Sequence, residues 1–390
     1  WLKPLWPKTD ARHIGPSSAM TSGWLPGDPW AIRVCVPWRE QQVWVACSNR
    51  PPSVAGASVL LCLHGAYCHK SSFSCIFGCD ALKHCGVLAI DLPGHGESSK
   101  IRRSGPGGGA DAEFPARLED MADVVLGVLR GLGMVGPPPS EPGEGVAAGT
   151  RRSAPIVVVG HSLGGAVGLL VAERLASAGV QLRGFVSLEG VIVATDTPAN
   201  GLASRWMRKD PRQATALDLL EDIAAAAHLG RDPAGLQHWR ECAECCGDSV
   251  HFLATRMSAS MVGWAQSNDL PARLSLLPVF RYIYGEGSGK YSKLLQDVLG
   301  ERQNCRAIGL AGSGHFMLLD NPEQTLHLLA QAVAEAEAPA QASLSAPSAQ
   351  GGLAEDAARS RETAHGAKPG GGPSADDLGG GGGDRGAKRA

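Results

Sequence analysis

Three things are scarce in this sequence, and each removes a class of function. No apolar run approaches the roughly 20 residues that a helix needs to cross a bilayer. Charge of one sign is not in excess: the formal net charge is -2, which gives nucleic acid or an anionic membrane no electrostatic hold. Paired metal ligands are missing too. Cys242-Ala243-Glu244-Cys245-Cys246 has the spacing of half a zinc site, but no second Cys/His pair accompanies it. No nucleic-acid partner, membrane span, metal or cofactor is therefore expected. A secreted disulfide framework is also unexpected, since the eleven cysteines are odd in number and scattered through apparent core and loops alike. They read as thiols of a reducing compartment, which points inside the cell and to the cytoplasm first. An organelle stays open, because the chain opens at Trp1 without Met and the absence of a targeting peptide carries no weight.

What is present is concentrated around one stretch. Ile156 to Val159 is a short apolar, β-branched run, as in a buried parallel strand. Gly160-His161-Ser162-Leu163-Gly164 follows at once, and Ala166 to Leu175 then has helical spacing. A serine at the apex of a strand–turn–helix is a nucleophile elbow, with small residues two before and two after it where the sharp turn leaves no room for Cβ atoms. The helix start then offers free N–H groups and the positive dipole end to a developing oxyanion.

Further strands are expected at 31–36 and 42–46 (an antiparallel pair with a turn around 37–40), 58–63, 86–90, 182–188, 278–284 and 305–310. Helices are expected at 116–132, 214–227, 250–264 and 321–336, with Pro322 suited to a first turn. Residues 104–110 and 136–152 are Gly- and Pro-rich insertions read as mobile surface loops. Residues 1–27 read as an irregular extension, and 338–390 as a tail too poor in apolar residues to fold. Strands alternating with helices predict an α/β fold, a mostly parallel central sheet with helices on both faces. His64, Asp91, Ser162, Glu189, Gly285 and His315 all fall at the carboxyl ends of strands, where such sheets bind ligands.

Taken in order, His64-Gly65, Asp91-Leu92-Pro93-Gly94-His95-Gly96-Glu97-Ser98, Gly160-His161-Ser162-Leu163-Gly164 and Gly314-His315-Phe316 resemble the α/β-hydrolase family over roughly residues 30–337. The resemblance implies core segments at 28–192 and 272–337 with an inserted helical cap at 193–271. It also implies an oxyanion hole from the backbone N–H groups of Ala66 and Leu163.

A serine hydroxyl needs a neighbouring base, and His315, on a Gly-flanked loop after the last strand, is the candidate. His161 is directed away by the elbow, and His64 and His95 read as loop organisers. The acid departs from the family's commoner pattern. Ser288 stands in the slot where an Asp is usual, and Glu286, one residue past Gly285, is expected to point elsewhere but stays open as the acid. Glu189, ending the strand after the elbow helix, is the expected acid; its alternative is a cap on nearby backbone N–H groups.

The expected function is a cofactor-free serine hydrolase that cleaves an ester, thioester or amide of a small apolar acyl substrate through an acyl-enzyme. Carbon–carbon bond hydrolysis and perhydrolysis use the same triad and stay open. Leu219, Leu220, Ile223, Met257, Met261 and Trp264 are candidates either to line the substrate pocket or to pack cap against core. A non-catalytic ligand- or protein-binding relative is the alternative, resting on Ser288 alone. No motif speaks to oligomeric state.

Overall fold

A computed structural model of the protein describes residues 28–100, 114–136, 154–192, 207–208, 218, 233–267, 269–288, 296–297, 299–300 and 302–338. The N-terminal extension, nearly all of both insertions and the tail lie outside them, as do Leu219, Leu220 and Ile223.

Eight strands form one sheet: β1 (Ala31–Trp38), β2 (Gln41–Arg50), β3 (Val59–Leu63), β4 (Gly86–Ile90), β5 (Ile156–His161), β6 (Leu182–Leu188), β7 (Phe280–Gly285) and β8 (Cys305–Leu310). Their order is β1-β2-β4-β3-β5-β6-β7-β8. The pairs β1/β2 and β2/β4 are antiparallel and the rest are parallel. Every residue of β3, β4 and β5 is buried, as expected of apolar runs covered on both faces. The edge strand β1 instead alternates exposed and buried positions towards its end.

The β1–β2 turn is tighter than the sequence suggests. Trp38 pairs with Gln41, leaving only Arg39 and Glu40 between the strands. Pro37 looks like a strand terminator, but on an edge strand its missing N–H removes no ladder bond.

The two faces separate by residue parity, as period-two side chains require. Val59, Leu61, Leu63, Ile156 and Val158 join one core with α1 (Leu118–Gly131) and α2 (Leu163–Ser177). Leu60, Cys62, Val157 and Val159 join the other with Leu329 and Val333. Those two residues belong to α6 (Pro322–Glu337), which Asn321 caps by accepting the Gln324 N–H.

Between β6 and β7 lie α3 (Pro233–Glu244), a helix from Val250 that becomes α4 (Ser258–Ser267), and the short α5 (Leu270–Ser275). Leu253–Met257 forms a π-helical turn between Val250–Phe252 and α4. The strand order reverses at β3, which has β4 on one side and β5 on the other. Beyond the carboxyl ends of β3 and β5 is therefore the crevice in which such sheets place ligands.

Candidate active site

Ser162 follows β5 with φ 51° and ψ −116°, a backbone conformation that L-residues rarely adopt. The flanking glycines make it possible. A Cβ on Gly160 would lie 2.3 Å from the Gly164 carbonyl oxygen, and one on Gly164 would lie 2.0 Å from that of Leu63. The turn is anchored on both sides. The Ser162 N–H donates to the Leu188 carbonyl at 3.1 Å, and the Ser162 carbonyl accepts the Val191 N–H at 2.9 Å. Ser162 is thus locked to the segment that carries Glu189.

Glu189 also has positive φ, 46°. Its N–H donates to the Ile283 carbonyl at 2.7 Å, which joins the end of β6 to β7. The side chain is fully buried, and its two oxygens have different partners. Oε2 lies 2.9 Å from His315 Nδ1, while Oε1 accepts the Ser288 hydroxyl. Ser288 therefore touches the same carboxylate from the loop after β7. Glu286 does not join them. It is exposed, and its carboxylate lies over Gly309 of β8.

His315 is held from behind by the histidine of the elbow. His161 Nε2 donates to the His315 carbonyl at 2.9 Å, and the two rings are 4.8 Å apart. Burial, and then the proximity of His315, push the His161 pKa down to about 3, so its ring is neutral at pH 7. A neutral ring with its Nε2 proton engaged positions backbone rather than moving protons.

The loop after β3 passes directly against the serine: a Cβ on Gly65 would sit 3.1 Å from Ser162 Cβ. His64 shapes that loop. Its Nδ1–H donates to the Gly65 carbonyl at 2.8 Å and its Nε2 accepts the Leu92 N–H at 2.9 Å. Burial pushes its pKa down to about 4. Trp239 on α3 donates its indole N–H to the Ala66 carbonyl at 2.9 Å. Leu163 opens α2, where the first N–H groups have no partner within the helix.

The Asp91–Ser98 stretch is also a scaffold. The buried Asp91 carboxylate accepts from the Lys70 N–H at 2.7 Å, the Lys70 ammonium at 2.9 Å and the Glu97 N–H at 2.8 Å. Burial alone would raise its pKa, but the Lys70 charge and these bonds hold it below the usual range. His95 Nδ1 donates to the Pro93 carbonyl at 3.0 Å.

Met257, Met261 and Trp264 are buried in the core cluster on the α1 and α2 side, which is the packing role of the two considered for them. A small cleft is lined instead by Ser72, His161, His238, Phe316, Met317 and Leu318, among others. Sequence periodicity could not select these residues, since they come from separate elements: the short helix Lys70–Phe73, the end of β5, the middle of α3 and the short helix Met317–Asp320 with Phe316 before it. Cys242 contacts His238 Nε2 at 3.3 Å, and all eleven cysteines are free thiols. Among the described residues no helix is long and apolar enough to cross a membrane.

Comparison with known proteins agrees with the architecture. The sequence model of the alpha/beta hydrolase family matches residues 60–328. No curated protein sequence matches the chain. Among solved structures, a thermophilic esterase from Thermogutta terrifontis superimposes with a TM-score of 0.58 at 14% identity, covering 78% of this chain and 98% of the esterase. An esterase from Exiguobacterium antarcticum gives 0.55 at 14% identity, covering 78% of this chain and 100% of that one. The N-acyl homoserine lactonase AidH, in complex with N-hexanoyl homoserine, gives 0.54 at 17% identity, covering 79% and 98%. At these identities the likeness is one of fold.

Proposed function

This chain belongs to the alpha/beta hydrolase family, and from that premise we propose that it is a serine hydrolase cleaving an ester, thioester or amide of a small apolar substrate through an acyl-enzyme. The observation that carries the reading is the 2.9 Å contact between His315 Nδ1 and Glu189 Oε2, beside an elbow that presents Ser162 in a strained turn.

In this reaction Ser162 Oγ attacks the acyl carbon while His315 Nε2 takes its proton. The imidazolium formed is stabilised by the buried Glu189 carboxylate, which also fixes the neutral ring with its proton on Nδ1. The tetrahedral oxyanion is met by the N–H groups of Ala66 and Leu163, one from the loop after β3 and one at the start of α2. His315 then returns the proton to the leaving group, and water, activated by the same nitrogen, releases the acid. The helices between β6 and β7 act as a cap, with Trp239 holding the Ala66 carbonyl from above. Phe316 and its neighbours around the cleft favour an apolar group on the substrate.

The binding-module reading rested on Ser288 in place of an acid. Glu189 supplies a carboxylate to His315 from another strand, and nothing else favours that reading. Turnover of p-nitrophenyl esters of increasing acyl length tests the proposal. Saturable release of p-nitrophenolate, lost in His315→Ala, is expected. A panel cleaved no faster by the wild type than by that variant would overturn it.

A further inference from the structure

The end of the sheet opposite Ser162 gathers a second set of reactive side chains. His84 and Cys85 lie on the turn before β4, and Glu337 ends α6. His84 Nε2 is 3.0 Å from Glu337 Oε2 and 3.3 Å from Cys85 Sγ. One potential ligand atom from each residue lies within 4.8 Å of the other two. The Glu337 carboxylate is oriented from its far side: Oε1 accepts the Ser58 N–H at 2.9 Å and faces Arg183 at 3.6 Å, leaving Oε2 to His84. A single ring nitrogen carries one hydrogen or one lone pair, so it cannot make two full hydrogen bonds to an oxygen and a sulfur at once. A shared cation removes the conflict, because each of the three atoms then gives a lone pair to the ion. Zinc–nitrogen and zinc–oxygen bonds of about 2.0–2.1 Å and a zinc–sulfur bond of about 2.3 Å put tetrahedral ligand atoms about 3.3–3.6 Å apart. The observed 3.0 and 3.3 Å separations are within a few tenths of an ångström of that edge length.

We propose that His84 Nε2, Cys85 Sγ and Glu337 Oε2 form a zinc site, with water as the fourth ligand. The His84 side chain is 40% exposed, which gives the ion and its water a way in. Thiolate and carboxylate together balance the dication, and a sulfur–imidazole set selects zinc over magnesium or calcium. Binding is a proton exchange without redox change: the Cys85 S–H bond breaks, its sulfur keeps the electron pair and bonds zinc, and the proton leaves to solvent. Burial, with help from the Glu337 charge, pushes the free thiol up to about 12, while Arg50 and Arg183 pull it down. Both guanidinium groups are occupied elsewhere, Arg50 on the Leu82 and Cys85 carbonyls and Arg183 towards Glu337 Oε1. Zinc there joins the last helix to a turn 253 residues earlier, a long closure whose effect is on stability. The site is at the amino ends of the strands and takes no part in the hydrolase reaction, so either proposal can fail without the other.

The test is titration of the reduced full-length chain with Co²⁺, followed by Zn²⁺. A saturable 1:1 cobalt complex with a thiolate charge-transfer band in the near ultraviolet is expected, displaced by zinc. Cys85→Ser abolishes the band, and His84→Ala or Glu337→Gln weakens binding by roughly tenfold or more. Zinc at about a hundredfold over its Kd raises Tm by about 3–6 °C, and this rise is lost in Glu337→Gln. Absence of 1:1 binding, or a band that survives Cys85→Ser, overturns the proposal. Should the buried Cys85 variant fail to fold, full cobalt affinity in His84→Ala, at a half-exposed position, overturns it equally.

Discussion

His315 Nδ1 lies 2.9 Å from Glu189 Oε2, although 126 residues separate the two in the chain. The carboxylate is fully buried and the imidazole is not, with side-chain exposures of 0% and 22%. A buried carboxylate is costly unless its charge is matched by donors or a cation. Here the match is Ser288 on one oxygen and an imidazole that becomes cationic during the reaction on the other.

Glu189→Gln keeps the shape of that contact and removes the charge. Turnover is expected to fall by roughly 10² to 10⁴. Glu286→Gln, altering a carboxylate that lies over Gly309, leaves turnover within a factor of two or so of wild type. The reverse pattern in steady-state kinetics would mean that the acid has been misassigned.

Ser288 is a positioning residue whose single hydroxyl proton is shared between the Glu189 carboxylate and the Gly285 carbonyl, 2.8 Å from its Oγ. Ser288→Ala removes one hydrogen bond to a charged acceptor and is expected to lower kcat by roughly 5- to 30-fold, on the order of 1–2 kcal/mol. Ser288→Asp in the Glu189→Gln background returns a carboxylate to the same pocket and is expected to recover part of the lost kcat. An unchanged kcat in Ser288→Ala would show that Glu189 holds its place without it.

Trp239→Phe deletes the donor to the Ala66 carbonyl while keeping an aromatic ring. The loop carrying one oxyanion N–H then loses its tie to α3, and kcat is expected to drop by about tenfold with KM little altered. A change confined to KM would instead assign Trp239 to substrate binding.

Acid should destabilise the fold before it titrates most carboxylates. His64 and His69 are held to about 4 and His161 to about 3, all by burial first. A histidine whose folded pKa lies below its unfolded value of about 6.5 contributes stability that is complete above 6.5 and is lost as pH falls towards the folded pKa. For His64 the loss is about 3 kcal/mol between pH 6.5 and 4. Calorimetric Tm is expected to decline steeply over that window, and less steeply in His64→Gln, whose amide can accept from Leu92 and donate to Gly65. A Tm that is flat from pH 7 to 4.5 would contradict neutral buried imidazoles.

The sheet was legible in the sequence because its central strands are unbroken apolar runs and the elbow's glycines answer a steric demand that no other residue meets. The nearness of Glu189 to His315 was implied by the family resemblance, some of whose members carry their acid at the end of the strand after the elbow helix, and strand-end placement of both residues agreed with it. Contacts made across the chain left no trace of that kind. Trp239 reaches Ala66 over 173 residues and His161 reaches the His315 backbone over 154, and no periodicity encodes either pair. Met257, Met261 and Trp264 show the converse limit. Helical spacing assigned them to an apolar face but could not say whether a substrate or the core would cover it. The His84, Cys85 and Glu337 grouping was invisible for the same reason, since only the fold brings the last helix to the turn before β4.

The central claim is that Ser162 is the nucleophile, and covalent labelling tests it most directly. Intact mass of the chain after treatment with a fluorophosphonate should show a single added phosphonyl group, mapped by peptide sequencing to Ser162. Labelling should be absent in Ser162→Ala, and ester turnover in that variant should fall by roughly 10⁴ to 10⁶. A Ser162→Ala protein that still labels at the same rate, or still turns over ester at the wild-type rate, would contradict the account.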